Sequence, residues 1–494
     1  MIRRPHLLTA PALCFVAVCL SACTHSPGGH AAGSDIVTPA PIATDAPVVA
    51  AARLVCHLIA DNPDAAVAQV RGADGAPSVV SNGKSYWFFG DAVRNGPGGR
   101  QDVIPAAVAT STDFDGSDCV RMSFKRSAGV AQPLFPRLGE TTAWPDGILL
   151  LDDGSMVFYM VKVQRDSPFA WHVSAVGLGR VPANSVDGVR SVESIWGDNS
   201  GFAQRVTGVR SPVRDGGDVI VYISTAGGAN YAARAPIDRI AEAAAYTYWD
   251  GRRWQPRPQD AQPMWPLSAP ATEFPHDNGV SVTFDEASGK WLAMYNGELG
   301  TVKVRTSDHP WGPWSEPVTW LDCRALVEDA YPYCYSAEIH RELSHDPATI
   351  YITFSSQKPY DIELVELHLG VAIHEWRADG GGLRYGASSP GDGYADAGAA
   401  FYASYRPAPG LVPVYQHADG SYALDAGDPE VTAAFYAYAT PEGGAIHLQP
   451  VYRWHRDGDE ALDARARSGW DRGEIAFYAP CPYLTSDNSA CAGD

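Results

Sequence analysis

One hairpin pattern recurs five times along the chain, and this repeat restricts the fold more than any other feature of the sequence. In the first copy, Gly72–Val80 leads through the turn Ser81–Lys84 into the aromatic run Ser85–Asp91. An Asn-Gly turn between two such runs is typical of a β-hairpin. The second runs of the five copies begin near residues 86, 156, 219, 291 and 350, at intervals of 59 to 72 residues.

Each copy is followed by a further run that could form a third strand. These runs are 106–110, 172–176, 231–234, 302–306 and 362–367. Units of three or four antiparallel strands at this period predict an all-β fold, with a five-bladed β-propeller over residues 53–380. The alternative is an array of β-sandwiches. A content of 48 Gly and 38 Pro in 494 residues fits the many turns of an all-β chain.

Acidic residues lie at or near the start of four of the five first strands, where propeller geometry would bring them to one rim. They are Asp74, Asp146, Asp277 and Glu338, and Asp91 ends a second strand at the same rim. Antiparallel neighbours would place Asp74 beside Asp91, and two carboxylates can cleave a glycosidic bond. Crowded acids also raise one another's pKa, as an acid/base pair requires. The alternative is that these acids are turn residues.

Three stretches of the sequence resemble a family of five-bladed propellers once described only as a domain of unknown function. The stretches are Gly72–Asp91, Arg305–Ser315 and Tyr335–Leu343, and the resemblance covers about residues 55–370. Characterised members of that family are endo-acting D-arabinanases, glycoside hydrolases that cut the D-arabinofuranose polymer of actinobacterial cell walls. The resemblance therefore implies a propeller fold and a hydrolytic activity on a furanose polymer.

The resemblance also implies that Asp74 and Asp91 are the catalytic residues. One would protonate the leaving oxygen, while the other would activate water or attack the sugar. Glu338 is a further catalytic candidate on geometry alone. Ala92 stands where the family usually has Thr, a departure that bears on the substrate more than on the fold.

Five residues are predicted to bind substrate. Tyr335, His340 and Arg305 match family positions and could bind sugar hydroxyls, and Asp146 and Asp277 would face the same acidic rim. The alternative for His340 is a packed, hydrogen-bonded core histidine. The alternative for Arg305 is a structural ion pair within its blade.

Motifs of several other enzyme classes are absent from the sequence. They are the sialidase aspartate box, the P-loop, the dinucleotide fingerprint, the HExxH helix and the GxSxG elbow. We therefore expect no organic cofactor and no metal ligands, although a structural Ca²⁺ in the channel would be compatible with the fold. A formal net charge of −20 argues against a nucleic-acid partner.

The N-terminus is typical of a bacterial lipoprotein signal peptide over residues 1–22. A basic and then an apolar stretch precede Leu20–Cys23, which matches the lipobox, so Cys23 is predicted to carry the lipid. The alternative is a plain secretory signal with a chance cysteine. Thr24 favours the outer membrane or cell surface as the destination. Residues 23–52 are predicted to form a flexible tether. No second run is long enough to span a bilayer.

The cysteines that remain after such processing are even in number, which predicts disulfides in an exported chain. Sequence proximity favours the pairs Cys323–Cys334 and Cys481–Cys491, which leaves Cys56–Cys119.

A second repeat occupies residues 395–494, after a glycine-rich boundary between Gly380 and Gly393. The tetrapeptide Ala-Phe-Tyr-Ala recurs at 400–403, 434–437 and 476–479. This pattern resembles a small β-repeat module appended to many secreted bacterial hydrolases. The module would bind a glycan or the cell envelope if these aromatic residues were exposed. The alternative is that they form its own core.

Taken together, the sequence predicts a surface-tethered glycoside hydrolase, endo-D-arabinanase-like, that acts on a furanose-type polysaccharide. The alternative is a non-catalytic glycan-binding lipoprotein of the same fold, because fold does not fix function.

Overall fold

Strands dominate the protein. The computed structural model describes residues 46–95, 101–134, 141–167, 170–183, 185–186, 193–197, 200–266, 279–286, 288–297, 300–327, 334–427 and 431–482. Within these ranges one short α-helix, α1 (Pro63–Val67), follows the first strand, β1 (Val48–His57). The prediction of an all-β chain is confirmed. No helix in the described ranges has the length and apolar character needed to cross a bilayer.

Five antiparallel sheets follow one another along the described chain, and each contains one of the predicted hairpins. Sheet one comprises β2 (Val70–Asp74), β3 (Ser78–Ser81), β4 (Lys84–Asn95), β5 (Gln101–Ser111) and β6 (Ser123–Phe124), and a small ribbon of β7 (Arg126–Ser127) and β8 (Val130–Ala131) follows it. Sheet two comprises β9 (Thr141–Leu150), β10 (Met156–Ser167), β11 (Ala170–Val181) and β12 (Glu193–Gly197). Sheet three comprises β13 (Val206–Asp215), β14 (Asp218–Thr225), β15 (Asn230–Pro236), β16 (Thr247–Trp249) and β17 (Trp254–Gln255). Sheet four comprises β18 (Ser281–Asp285), β19 (Lys290–Asn296), β20 (Thr301–Ser307) and β21 (Val318–Asp322).

Sheet five takes strands from distant parts of the chain. It comprises β22 (Tyr335–His340), β23 (Thr349–Gln357) and β24 (Tyr360–Ala378), and β1 pairs with β24. The tether was predicted to extend to residue 52, whereas β1 begins at Val48. Val48 and Val49 are buried in a cluster with apolar residues of sheets four and five, and this burial explains why the segment forms a strand.

Hydrogen bonds join each sheet to the next and return from sheet five to sheet one. These bonds are Trp144 Nε1 to Asp91 Oδ1 (2.9 Å), Val209 N to Asp146 Oδ2 (2.7 Å), Gly279 N to Ser224 Oγ (3.3 Å), Ile339 N to Ser281 Oγ (3.0 Å) and Gly75 N to Ser355 Oγ (2.8 Å). The hairpins that a propeller would make neighbours are therefore in contact.

The aromatic run of the first hairpin is buried on both faces of its strand. Phe88 contacts Phe158 of sheet two edge-on, with ring centroids 4.7 Å apart. Trp87 and Phe89 point to the other face, where they pack in a cluster with sheet-five residues such as Ile362. Burying each such ring contributes roughly 2–3 kcal/mol. A strand that is covered on both faces needs a continuous apolar run, which explains the sequence 86–89.

Two of the predicted disulfides are confirmed. Cys56 pairs with Cys119, and Cys323 pairs with Cys334. Cys491 lies outside the described residues, so the third predicted pair, Cys481–Cys491, is not described.

The C-terminal residues form further small antiparallel sheets. Their strands are β25 (Leu383–Gly386), β26 (Tyr394–Ala403), β27 (Val412–Gln416), β28 (Tyr422–Ala423), β29 (Ala433–Ala437), β30 (Leu448–Arg456), β31 (Asp459–Asp463) and β32 (Asp471–Pro480). The repeated phenylalanines Phe401, Phe435 and Phe477 are buried together, with centroids 5.2 to 5.7 Å apart. They form the core of this region, which matches the alternative reading of the repeat rather than exposed platforms.

Strand β24 belongs to both parts of the chain. Its first half pairs with β1 and β23, and its second half pairs with β25 and β26. The glycine-rich stretch between Gly380 and Gly393, predicted as a boundary, contains β25 and is hydrogen-bonded to β24.

Candidate active site

Asp74 and Asp91 lie beside each other on neighbouring strands. Asp74 ends β2 and pairs across the sheet with Gly90 of β4, so the next residue, Asp91, sits at the same edge. Gly90 makes this approach possible, because a Cβ at that position would lie 2.6 Å from Asp74 Oδ1. Asp91 has a positive φ of 30°, a left-handed conformation that non-glycine residues rarely adopt.

Aromatic side chains from sheets two and five hold the pair. Tyr335 donates its hydroxyl to Asp74 Oδ2 at 3.1 Å, and Tyr360 donates to the backbone oxygen of Asp91 at 3.1 Å. The half-buried Trp144 donates its indole N–H to Asp91 Oδ1 at 2.9 Å. Both carboxylates are therefore fixed in orientation by donors outside their own sheet.

The environment of the pair favours a proton on Asp74. Burial, reinforced by the charge of Asp91, raises the pKa of Asp74 to about 6. Hydrogen bonds from Tyr335 and Tyr360 and the charge of Arg210 oppose this rise. Asp74 can therefore exchange a proton near neutral pH, which an ordinary aspartate cannot do.

An arginine lies between the other predicted acids. Arg210 Nε contacts Asp146 Oδ1 at 2.7 Å, and its Nη1 contacts Glu338 Oε1 at 3.2 Å. A further donor of Arg210 reaches Ser336 Oγ at 3.1 Å. The side chains of Asp146 and Glu338 are only 7% and 9% exposed. Burial raises the pKa of both carboxyls, and Arg210 opposes the rise. These two acids therefore surround a buried cation and balance its charge.

Shifts in the strand pairing set the direction of the Arg210 and Glu338 side chains. The pairing of β13 with β14 shifts between Arg210 and Val213, and the pairing of β22 with β23 shifts between Tyr335 and Glu338. Ser211 and Ser336 have positive φ values of 42° and 52° within those shifts. Such bulges redirect side chains and are common near functional sites.

His340 does not lie in the site. It is fully buried, it stacks on Trp87 with centroids 4.5 Å apart, and both ring nitrogens are occupied. Nδ1 lies 2.8 Å from Ser78 Oγ, and Nε2 lies 2.9 Å from Thr353 Oγ1. In the structure His340 is therefore a packed, hydrogen-bonded core histidine, which is the alternative interpretation of this residue.

Arg305 is also occupied elsewhere. It donates to Tyr295 OH at 3.1 Å and to the Ser315 carbonyl at 2.6 Å, and it lies over the ring of Trp265. The residue is buried and its described partners are neutral, so it supports its own region of the fold, but without the ion pair of the alternative interpretation.

The predicted residues other than His340 and Arg305 fall into three groups. The structure brings together Asp74, Asp91 and Tyr335, and it places Asp146 and Glu338 around Arg210. Asp277 and Cys23 lie outside the described residues. Among the described His, Cys, Asp and Glu side chains, no group of three has the arrangement of a metal site.

Sequence reasoning missed Arg210, Trp144 and Tyr360. Arg210 belongs to the one first strand that was not predicted to have an acid at or near its start, and nothing in the hairpin pattern marked this difference as important. Trp144 and Tyr360 lie 53 and 269 residues from Asp91 in the sequence. No local pattern connects them with it.

These observations define a class: an all-β chain of linked antiparallel sheets with a carboxylate pair at the edge of its first sheet. The family model for the domain of unknown function DUF4185 matches residues 60–366, and the chain belongs to that family. No curated protein matches the sequence.

The chain is also similar to solved structures at low identity. An α-L-arabinofuranosidase from Podospora anserina is 11% identical with a TM-score of 0.40, over 66% of this chain and 98% of the other. A family 43 arabinoxylan arabinofuranohydrolase from Bacillus subtilis is 10% identical with a TM-score of 0.40, over 88% and 94%. An exo-β-1,3-galactanase from Clostridium thermocellum is 10% identical with a TM-score of 0.39, over 85% and 82%. Similarity at this level assigns no activity to the chain.

Proposed function

We propose that the protein is a glycoside hydrolase that cuts within a furanose-type polysaccharide, as an endo-D-arabinanase does. We further propose that the five described sheets are the blades of a five-bladed β-propeller. One observation carries the functional proposal: adjacent carboxylates in different surroundings, one with a pKa raised to about 6. Pairs of acids whose surroundings separate their pKa values are how hydrolases obtain an acid and a base from one residue type.

The surroundings suggest a role for each carboxylate. Asp74 is the general acid, because burial and the charge of Asp91 favour its protonated form. Asp91 is the general base or the nucleophile, because the indole N–H of Trp144 stabilises its carboxylate. The half-buried ring of Trp144 also offers an apolar surface beside Asp91 on which a sugar can rest.

Product analysis tests the proposal. We expect the purified protein to release a series of short oligosaccharides from D-arabinan or arabinogalactan, as chromatography of the soluble products would show. An endo-acting enzyme gives such a series, whereas an exo-acting enzyme gives one small product. Retention on the polymer without any release would instead support the glycan-binding lipoprotein.

The value of kcat/KM should fall on the alkaline side of the pH profile. Activity needs Asp74 protonated, so it should fall about tenfold per pH unit above a limb near pH 6. Tyr335→Phe removes a hydrogen bond that favours the charged form of Asp74, so the upper limb should move to higher pH. Tyr438→Phe, which removes a hydroxyl bonded to the Ala50 carbonyl, is the matched control. An upper limb that Tyr335→Phe leaves in place would argue against Asp74 as the acid.

We also propose that a lipid on Cys23 anchors the protein at the outer membrane or cell surface. The support is the lipobox Leu20–Cys23. Cells fed a labelled palmitate analogue should label the wild-type protein and a Cys19→Ser control, but not Cys23→Ser. Label retained by Cys23→Ser, or absent from the wild type, would contradict the anchor.

A further inference from the structure

A cavity of about 560 Å³ lies in the C-terminal region, separate from the carboxylate pair. Loops and strand ends of β24, β25, β28, β30 and β31 surround it. Its volume is in the range of sites that bind small ligands. The core phenylalanines of this region are buried elsewhere, so the predicted aromatic platforms do not account for the cavity.

A rigid buried network forms one wall of the cavity. Glu375 is 4% exposed and accepts from Arg467, Arg377 and the hydroxyl of Tyr385. The Tyr385 hydroxyl in turn accepts from the backbone N–H of Leu462 at 2.8 Å. These contacts satisfy Glu375 internally and fix the wall before any ligand arrives.

Two of the arginines that line the cavity, Arg384 and Arg456, have no carboxylate partner among the described residues. The guanidinium carbon of Arg456 lies 4.5 Å from the centre of the Trp470 ring, and that of Arg467, which pairs with Glu375, lies 4.7 Å from the same ring centre. Contact with the ring restrains the Arg456 guanidinium, whose N–H donors lie in the plane of the group. Arg384 is half-buried, and its guanidinium lies against Gly420, where any Cβ would clash with it.

Two of the acids that line the cavity already have ion-pair or hydrogen-bond partners. Glu460 pairs with Arg453 at 2.6 Å, and Asp419 accepts from the backbone and hydroxyl of Ser421. Asp459 lies opposite Arg456 in the β30–β31 pairing, without an ion pair between them among the described contacts. The cavity therefore offers two guanidinium groups without a described carboxylate partner and a few carboxylate acceptors, a set that suits a ligand with both an anionic group and hydroxyls.

We propose that this cavity binds a sugar unit bearing an anionic group, either a uronate carboxylate or a phosphate, held by Arg384 and Arg456. The guanidinium fork matches both anions, and the acidic side chains accept from the sugar hydroxyls. The proposal does not depend on the hydrolase assignment, since none of the cavity residues belongs to the carboxylate pair.

Calorimetric titration of the purified full chain tests the proposal. The probes are galacturonate and glucose 6-phosphate, with galactose and glucose as their neutral counterparts. We expect one or both anionic sugars to bind at least about tenfold more tightly than the neutral ones. The two anionic arms distinguish the carboxylate from the phosphate as the source of the charge.

Variants locate the binding. Arg384→Gln and Arg456→Gln should each weaken binding of the anionic sugar by about tenfold or more. Arg472→Gln is the matched control, because Arg472 also lies over an aromatic ring, Tyr452, but does not line the cavity. Equal binding of neutral and anionic sugars, no binding of any probe up to about 10 mM, or unchanged affinity in both cavity variants would overturn the proposal. Thermal melting of each variant confirms that it is folded.

Discussion

Asp74→Asn is expected to lower the rate of polysaccharide cleavage by about a hundredfold to ten-thousandfold, the usual contribution of a general acid. The variant keeps the shape of the side chain but cannot deliver a proton to the leaving oxygen. Asp91→Asn should cause a loss of similar size, because it removes the base or nucleophile of the proposed pair. Initial rates of oligosaccharide release, measured over several decades of enzyme concentration, give both numbers.

Asp152→Asn is the matched control for this pair. Asp152 follows the first strand of the second hairpin, but its side chain is 89% exposed and pairs only with Arg214 among the described residues. Its replacement should leave the rate unchanged. Activity that survives in both Asp74→Asn and Asp91→Asn would refute the assignment of the site.

A stability measurement separates lost catalysis from lost structure. The folded state raises the pKa of Asp74 from 3.8 to about 6, so it holds this proton more tightly than the unfolded chain. The resulting stabilisation is complete below pH 3.8 and is lost as the pH rises through 6. At pH 7 the ionised carboxylate is disfavoured in the fold, so Asp74→Asn should resist urea as well as the wild type or better.

Arg210→Met is expected to destabilise the protein by about 3–5 kcal/mol at pH 7. It leaves Asp146 and Glu338 buried without their shared cation. Without Arg210 the pKa of both carboxyls should rise further, so the penalty falls as the pH drops and they take up protons. Urea unfolding at pH 7 and pH 5 should therefore show the larger loss at pH 7.

Two further variants sharpen this prediction. Arg214→Met removes an arginine from the same strand, but its partner Asp152 is exposed, so the loss should stay below about 1 kcal/mol. Adding Asp146→Asn to Arg210→Met removes one unpaired charge and should recover part of the stability. Equal losses of stability for Arg210→Met and Arg214→Met would show that the buried cluster stabilises the protein no more than the exposed pair does.

The sequence was sufficient for features that depend on neighbours along the chain or across a hairpin. The turn Asn82-Gly83 has positive φ at both residues, as a two-residue hairpin turn needs, and the strands around it pair as predicted. The adjacency of Asp74 and Asp91 follows from that hairpin and from the pairing of β2 with β4. Local chemistry determines both features.

The sequence was not sufficient for features that depend on contacts between sheets. Arg210 meets Glu338 from 128 residues away, and nothing in the hairpin pattern reports which cation will balance which acids. His340 matches a family position, yet Trp87, Ser78 and Thr353 enclose it in the core. A pattern of residue types shows which side chains are polar, but only the packing of neighbouring sheets decides which of them face a ligand.

Strand β24 connects the two proposed sites and therefore sets the distance between them. Tyr360, at its first residue, contacts Asp91, while Arg377, near its end, lines the cavity. Arg377 lies 17 residues after Tyr360 in the strand (377 − 360), which at about 3.3 Å per residue gives a distance of up to about 55 Å. Because β24 is a continuous strand and not a flexible linker, the distance between its two ends is fixed. If the two proposed sites bind parts of one glycan, a chain long enough to bridge this distance gains from both at once, whereas a short oligosaccharide occupies only one of them.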